Sequence, residues 1–331
     1  DGDADIIKCG SYTGNGSTNG PEIDLGFEPQ WLLVKSASSA DVWMMTDNMR
    51  GMINTTDGNN NVNYLKANTS DAESGFSGKF NLTSTGFKIT DGGSIINGSG
   101  NTYIYMAIRR PTKVPESETE VFDADTETNL NTFVTTPWPT DLAIQKDRQQ
   151  ANQWVVIDRM RGGSNILDTS STSAENTNGT GSYFSGMDYM DGIDLNFFSS
   201  DTSNNIVYNW KRAPNFFDVV AYTGNGTAGR TVSHNLGVAP EMMWVKKRDS
   251  SSNSNWSVYH KDLNGGTNSA EYYLRLETTN AETRNLGYWD STSPSDSAFT
   301  LGTQARVNSS GNTFIAYLFA SLDGISKVGS Y

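Results

Sequence analysis

The chain alternates short apolar runs with clusters of Gly, Asn, Ser and Thr. In "QWLLVK" at 30–35, Trp31, Leu33 and Lys35 fall on one face of an extended strand, and Leu32 and Val34 on the other. "VWMMTD" at 42–47 and "QWVVID" at 153–158 are further strand-length runs rich in β-formers. "TYIYMAI" at 102–108 and "TFIAYLFA" at 313–320 are longer and apolar at successive positions, the pattern of central strands buried on both faces. Gly-Asn-Gly, Asp-Gly-Gly and Asn-Gly-Ser turns separate these runs. No amphipathic stretch is long enough for an extended helix. The pattern predicts an all-β protein with short helices or none.

The runs recur in a fixed order. "WLLVK" at 31, "LAIQK" at 142 and "MMWVKK" at 242 are followed by "VWMMTDNMRG", "QWVVIDRMRG" and "NWSVYHKDLNG". Later come "GNTYIYMAIRRP" at 100, "NNIVYNWKRAP" at 204 and "GNTFIAYLFAS" at 311. The turn "YTGNG" occurs at 12 and at 222, whereas the middle copy carries "EVFDADTETN" in its place. A fixed period of this kind marks a tandem repeat. The expected organisation is three β-sandwich modules, of jelly-roll or concanavalin-like type, at 1–112, 113–215 and 216–331. Each is expected to hold seven to nine strands. "KVGSY" at 327–331 echoes "KCGSY" at 8–12. It is expected to open a further module of a longer parent chain, or to pair back onto the third. Prolines in "RRPTKVPESETE" and "KRAPNFFD" predict short, stiff connections.

Composition narrows the function. The chain has 37 acidic against 24 basic residues, a net charge of −13, and no basic stripe, which argues against a nucleic-acid partner. No apolar run is long enough for a membrane-spanning helix. The single cysteine, Cys9, excludes an internal disulfide framework and is expected to be a small buried strand residue.

Candidate chemistry is sparse. The two histidines, His234 in "VSHNLG" and His260 in "VYHKDL", lie at strand ends with no nucleophile motif beside them. Acidic clusters at 123–129 and 188–194 could offer oxygen ligands to calcium, with a solvated turn as the competing reading. No cofactor is expected. The tryptophans sort by recurrence. Trp43, Trp154 and Trp256 recur in every copy and are expected to fill the cores, as are Trp31 and Trp244. Trp138, Trp210 and Trp289 have no clear equivalents, which makes them better binding candidates. Trp289 follows Tyr288 in the polar "NLGYWDSTSPSD", where paired aromatics could stack on a sugar ring or pack against a neighbouring module.

The third repeat, with "AYTGNGTAGRTVSHNLGVAPEMMWVKKRD", "NWSVYH" and "GNTFIAYLFASLDGISKVGSY", resembles a domain of uncharacterised function. That domain recurs, often in tandem, in virion structural and tail-fibre-like proteins of marine tailed bacteriophages, notably those of cyanobacteria. The resemblance is strongest over 216–331 and weakest over 113–215. It implies a place on the virion exterior and brings no catalytic motif. The expectation is therefore a non-enzymatic virion protein, part of a tail fibre or other exposed appendage. Its implied partners are other copies of itself, as homotrimers, other virion proteins and host surface polysaccharide. The alternatives are a lectin-like carbohydrate-binding protein, a polysaccharide depolymerase and a capsid decoration protein.

Overall fold

The computed structural model describes residues 6–50, 52, 61–77, 79–127, 133–149, 151–163, 165–177, 187–194 and 204–331. The architecture is nearly all antiparallel β, with two single-turn α-helices among the described residues. The first stretch holds β1 (Ile7–Thr13), β2 (Glu22–Asp24), β3 (Pro29–Ser36), β4 (Met44–Asp47), β5 (Asn61–Lys66), β6 (Ser74–Ser77), β7 (Phe80–Thr83), β8 (Gly86–Ile89), α1 (Ser94–Asn97) and β9 (Thr102–Arg109). The second holds β10 (Phe122–Glu127), β11 (Phe133–Thr135), β12 (Leu142–Asp147), β13 (Val155–Asp158), β14 (Asn165–Asp168), β15 (Asn176–Thr177), β16 (Gly192–Asp194) and β17 (Asn205–Trp210). The third holds β18 (Phe217–Thr223), β19 (Arg230–Ser233), β20 (Met242–Lys247), β21 (Ser257–His260), β22 (Tyr272–Arg275), β23 (Thr283–Arg284), β24 (Ala298–Leu301), α2 (Ala305–Asn308) and β25 (Thr313–Phe319).

One strand order occurs three times. The large sheets run β1-β9-β3-β4-β5-β6, β10-β17-β12-β13-β14-β15 and β18-β25-β20-β21-β22-β23. In each, the last strand of the stretch lies between the first and third. The long apolar runs at 102–108 and 313–320 take that inner place, but only β25 is buried on both faces; β9 leaves Ile104 exposed on its outer one. Smaller sheets β2-β8-β7, β11-β16 and β19-β24 accompany them.

The inward face of each large sheet meets its small sheet. In the third stretch Val232, Phe299 and Leu301 of the small sheet share one core with Met243, Val245, Phe314 and Ala316 of the large one. In the second, Val134 and Ile193 pack with Ala143, Ile157 and Val207. In the first, Phe87 of β8 meets Tyr12 and Tyr105 edge-on, at 6.5 and 5.7 Å. Such sheet-on-sheet packing needs strictly alternating strands, and the alternation of 30–35 supplies it.

The chain divides into two compact units. One is 1–111 with Arg159–Gly162; the other is Thr112–Asp158 with Gly163–Tyr331. The second unit thus contains most of the second stretch and all of the third.

The "YTGNG" turn has a structural cause, seen alike in the first and third stretches. The Tyr222 hydroxyl donates to the Val307 carbonyl at 2.7 Å, as Tyr12 does to Ile96 at 2.7 Å. The buried Asn308 of α2 accepts from the Asn225 amide at 2.9 Å and donates to the Thr227 and Gly302 carbonyls at 2.9 and 2.8 Å. Asn97 of α1 treats Asn15, Ser17 and Asp91 in the same way. A methyl at Gly224 would collide with the Ser309 carbonyl oxygen, and Gly226 has φ +72°. Glycine is therefore required at both positions.

One expectation is corrected. Cys9 is exposed, because β1 turns its odd positions outward and Tyr12 inward. Residues 327–331 form no strand, although the Val328 amide donates to Ser321 Oγ at 2.8 Å; an isolated bridge, Leu322 to Ser326, precedes them, as the bridge Ala213 to Phe217 leads into β18.

Replacing Asn308 by Ala removes three hydrogen bonds and leaves buried backbone groups unpaired. The expected loss is about 2–4 kcal/mol, read as a lower urea midpoint of the second unit. A loss within about 0.5 kcal/mol would show that the turn does not depend on that side chain.

Candidate functional site

The outward faces of the second and third large sheets, both in the second unit, form a further apolar layer. Strict alternation points Leu142, Ile144, Val156 and Asp158 away from the first core of their repeat, and Phe217, Val219, Val258 and Tyr317 away from theirs. All eight are nevertheless buried. They are buried against each other. The Tyr317 hydroxyl donates to Asp158 Oδ2 at 2.5 Å, Trp256 Nε1 donates to the Asp168 carbonyl at 2.8 Å, and the Trp210 and Phe217 rings lie 6.5 Å apart. Arg248 pairs with Glu175 through two bonds of 2.8 and 2.9 Å, both side chains buried. In the connection, Arg212 holds Asp218 at 2.7 Å, and Asp218 Oδ2 also accepts from the Asn235 amide. Buried pairs of this kind add little net stability but fix one register.

This layer closes unevenly. Trp256 seats fully against Asp168, whereas its counterpart Trp154 stays 36% exposed. Beside Trp154 the sheets leave a groove of about 510 Å³. Its walls include Trp154, Tyr208 and Trp210 from the second repeat, and Trp244, Glu277 and Thr278 from the third. Tyr208 and Trp210 are 6.3 Å apart, and Phe122 supports Trp210 at 5.1 Å. Glu277 is oriented by Asn255 Nδ2 at 2.5 Å and the Trp256 amide at 3.1 Å. Trp244 Nε1 and Thr278 Oγ1 are buried atoms without a hydrogen-bond partner. Unsatisfied groups of this sort cost about 1–3 kcal/mol each.

Of the four residues singled out as binding candidates, only Trp210 reaches this groove. Tyr288 and Trp289 are both fully buried in the core of the third stretch. Tyr288 stacks on Tyr273 at 3.9 Å, and Trp289 Nε1 donates to the Tyr272 carbonyl at 3.0 Å, so neither is open to a sugar. The surrounding polar residues line the outside of the loop while the two rings turn in. Trp138 is also buried, with Nε1 donating to Thr119 at 2.9 Å.

The recurring tryptophans are corrected too. Trp43 and Trp154 are partly exposed, Trp31 and Trp244 are half-buried on outward faces, and Trp256 fills the layer between repeats rather than its own sandwich. The signal for Trp244 was in the pattern. It alternates with Met243 and Val245, and those two fill the core.

The histidines serve the backbone. Buried His234 places Nε2 3.3 Å from the Ser295 carbonyl and accepts from the Leu236 amide, and burial lowers its pKa. His260 accepts from the Asp262 amide. Among the described residues no three His, Cys, Asp or Glu side chains group around a possible metal position. The acidic stretch at 123–129 lies partly outside the described residues; its Asp123 and Asp125 are in β10.

A family model described as a domain of unknown function (DUF7483) matches residues 6–111 and 117–331. The break between the two matched stretches falls where the first unit ends, after Pro111. No curated protein and no solved structure matches the chain.

Lys246 lies under the Trp256 ring, its Nζ 5.8 Å from the centroid, and donates to the Ser254 carbonyl and to Ser254 Oγ. Burial pushes its ammonium down to about 8 from 10.5, against the opposing pull of Glu277 and Asp168. Between those limits the unfolded chain binds the extra proton, so stability rises as pH climbs from about 8 to 10.5. Lys246→Met should lose that rise. Urea midpoints of the two chains at both ends of the window check it, and equal slopes would clear Lys246 as the source.

Proposed function

The chain belongs to the DUF7483 family of uncharacterised domains, and from that premise we propose a non-enzymatic attachment protein of a phage virion. It consists of three tandem β-sandwich modules in a tail fibre or other exposed appendage, and it holds host-surface polysaccharide in the groove between the second and third repeats.

The groove carries the reading. A pyranose ring has an apolar C–H face and a rim of hydroxyls. Trp154, Tyr208, Trp210 and Trp244 offer aromatic surface to the first. Glu277 offers acceptor oxygens to the second. The volume lies in the range of small-ligand sites, about 300–1,000 Å³. A carboxylate at the rim favours neutral or amino sugars over acidic ones. Glycoside hydrolysis normally needs two carboxylates across the scissile bond, and Glu277 is the one carboxylate among the described lining residues of the groove, which supports binding over cleavage. The tight layer beside the groove supports a mechanical role as well, because it joins two repeats without a hinge. Weak single-site contacts gain avidity when many copies meet one surface.

Binding of the chain to isolated host surface polysaccharides tests this. Trp210→Ala and Trp244→Ala are each expected to weaken binding about tenfold or more, with Trp43→Ala unchanged. No retention of any host glycan, or equal binding by all variants, would sink the proposal. Antibody labelling of intact particles separates an appendage component from a free-standing lectin, which would leave the particles bare.

A further inference from the structure

The first large sheet presents outward the same face that the second and third repeats bury. Strand pairing fixes the correspondence. Ile7 pairs with Ile108 as Phe217 pairs with Phe319, and Cys9 pairs with Met106 as Val219 pairs with Tyr317. Ile104 opposite Lys35 matches Ile315 opposite Lys246, and Trp43 matches Trp256. In the third repeat Phe217, Val219, Ile315 and Trp256 are at most 1% exposed. Their counterparts are open: Ile7 is 47% exposed, Ile104 41% and Trp43 37%, and Cys9 is exposed. Between them Trp31, Leu33 and Met106 are half-buried. Ser11, Lys35 and Asp47 share the edges of this face, and the residues between them make an apolar sheet surface rather than a scatter of single residues; such surfaces mark interaction sites.

The occupant follows from the paired repeats. There, two copies of one face meet in roughly two-fold fashion. Trp256 of the third repeat reaches Asp168 at the end of β14, and Trp154 of the second lies in a groove with Leu276, just past the equivalent β22. A face that pairs with its own kind inside the chain can pair with its own kind between chains. We propose that the outer face of the first large sheet binds the same face of a second copy, making an isologous two-fold dimer. This departs from the three-fold assembly implied by the resemblance, because an isologous face closes a pair and not a ring of three.

Cys9, the sole cysteine, lies within this face and reports on it. The experiment takes the whole chain from about 1 to about 100 µM, measuring mass by sedimentation and the rate at which a thiol reagent labels Cys9. The expected result is a concentration-dependent dimer, with labelling slowed about tenfold at the upper end. Ile7→Glu and Ile104→Glu change exposed positions on two different strands. Each should leave the far-ultraviolet circular dichroism unchanged, return the chain to a monomer and restore fast labelling. A chain that stays monomeric with freely reacting Cys9 overturns the proposal. So does a dimer that survives both substitutions, or a trimer.

Discussion

The outward face of the β20–β25 sheet is apolar, and so is that of the β12–β17 sheet; the rest of the second unit follows from bringing these two faces together. Each large sheet already buries one face in the core it shares with its small sheet. A second apolar face exposed to water would cost about 25 cal/mol for each square ångström left uncovered. Stacking the two sheets removes that cost and creates a layer tied by polar contacts across it: Tyr317 to Asp158, Trp256 to Asp168, Arg248 to Glu175. These directional contacts select one register from the many that apolar contact alone would permit. The groove is what remains where the two faces do not match.

Much of this architecture was legible in the sequence because strand periodicity and repetition are local signals. The alternation at 30–35 and the apolar runs at 102–108 and 313–320 identify strands, and the structure makes the latter two the central strands β9 and β25. What failed was the assignment of side chains to layers. Recurrence of Trp43, Trp154 and Trp256 was read as a common core role, but recurrence fixes only a common backbone position. Whether that position is buried depends on what covers the outer face, and this differs among the repeats. One sees Trp256 sealed, another leaves Trp154 beside a groove, and Trp43 is open. Burial between repeats is a tertiary fact with no local signature.

Tyr288 and Trp289 illustrate the opposite failure. Their polar surroundings, "NLG" before and "DSTSPSD" after, suggested an exposed loop. The polar residues instead let the chain turn sharply, with Asp290 and Ser291 both at positive φ, while the two rings enter the core. By contrast, the "YTGNG" turn was recognised as a repeated element, and its purpose became clear only with Asn97 and Asn308. Those lie more than eighty residues downstream, each on a single helical turn that no periodicity could announce.

The shared layer has an evolutionary consequence. Tandem repeats diversify by recombination, and a repeat that touches its neighbours only through a linker can be exchanged alone. The second and third repeats cannot. A foreign third repeat would have to bring a complement to Asp158, Asp168 and Glu175 at the same time, or lose the polar contacts that join the two sheets. The heritable unit in this half of the chain is therefore the pair, and the groove, formed by both members, is inherited with it.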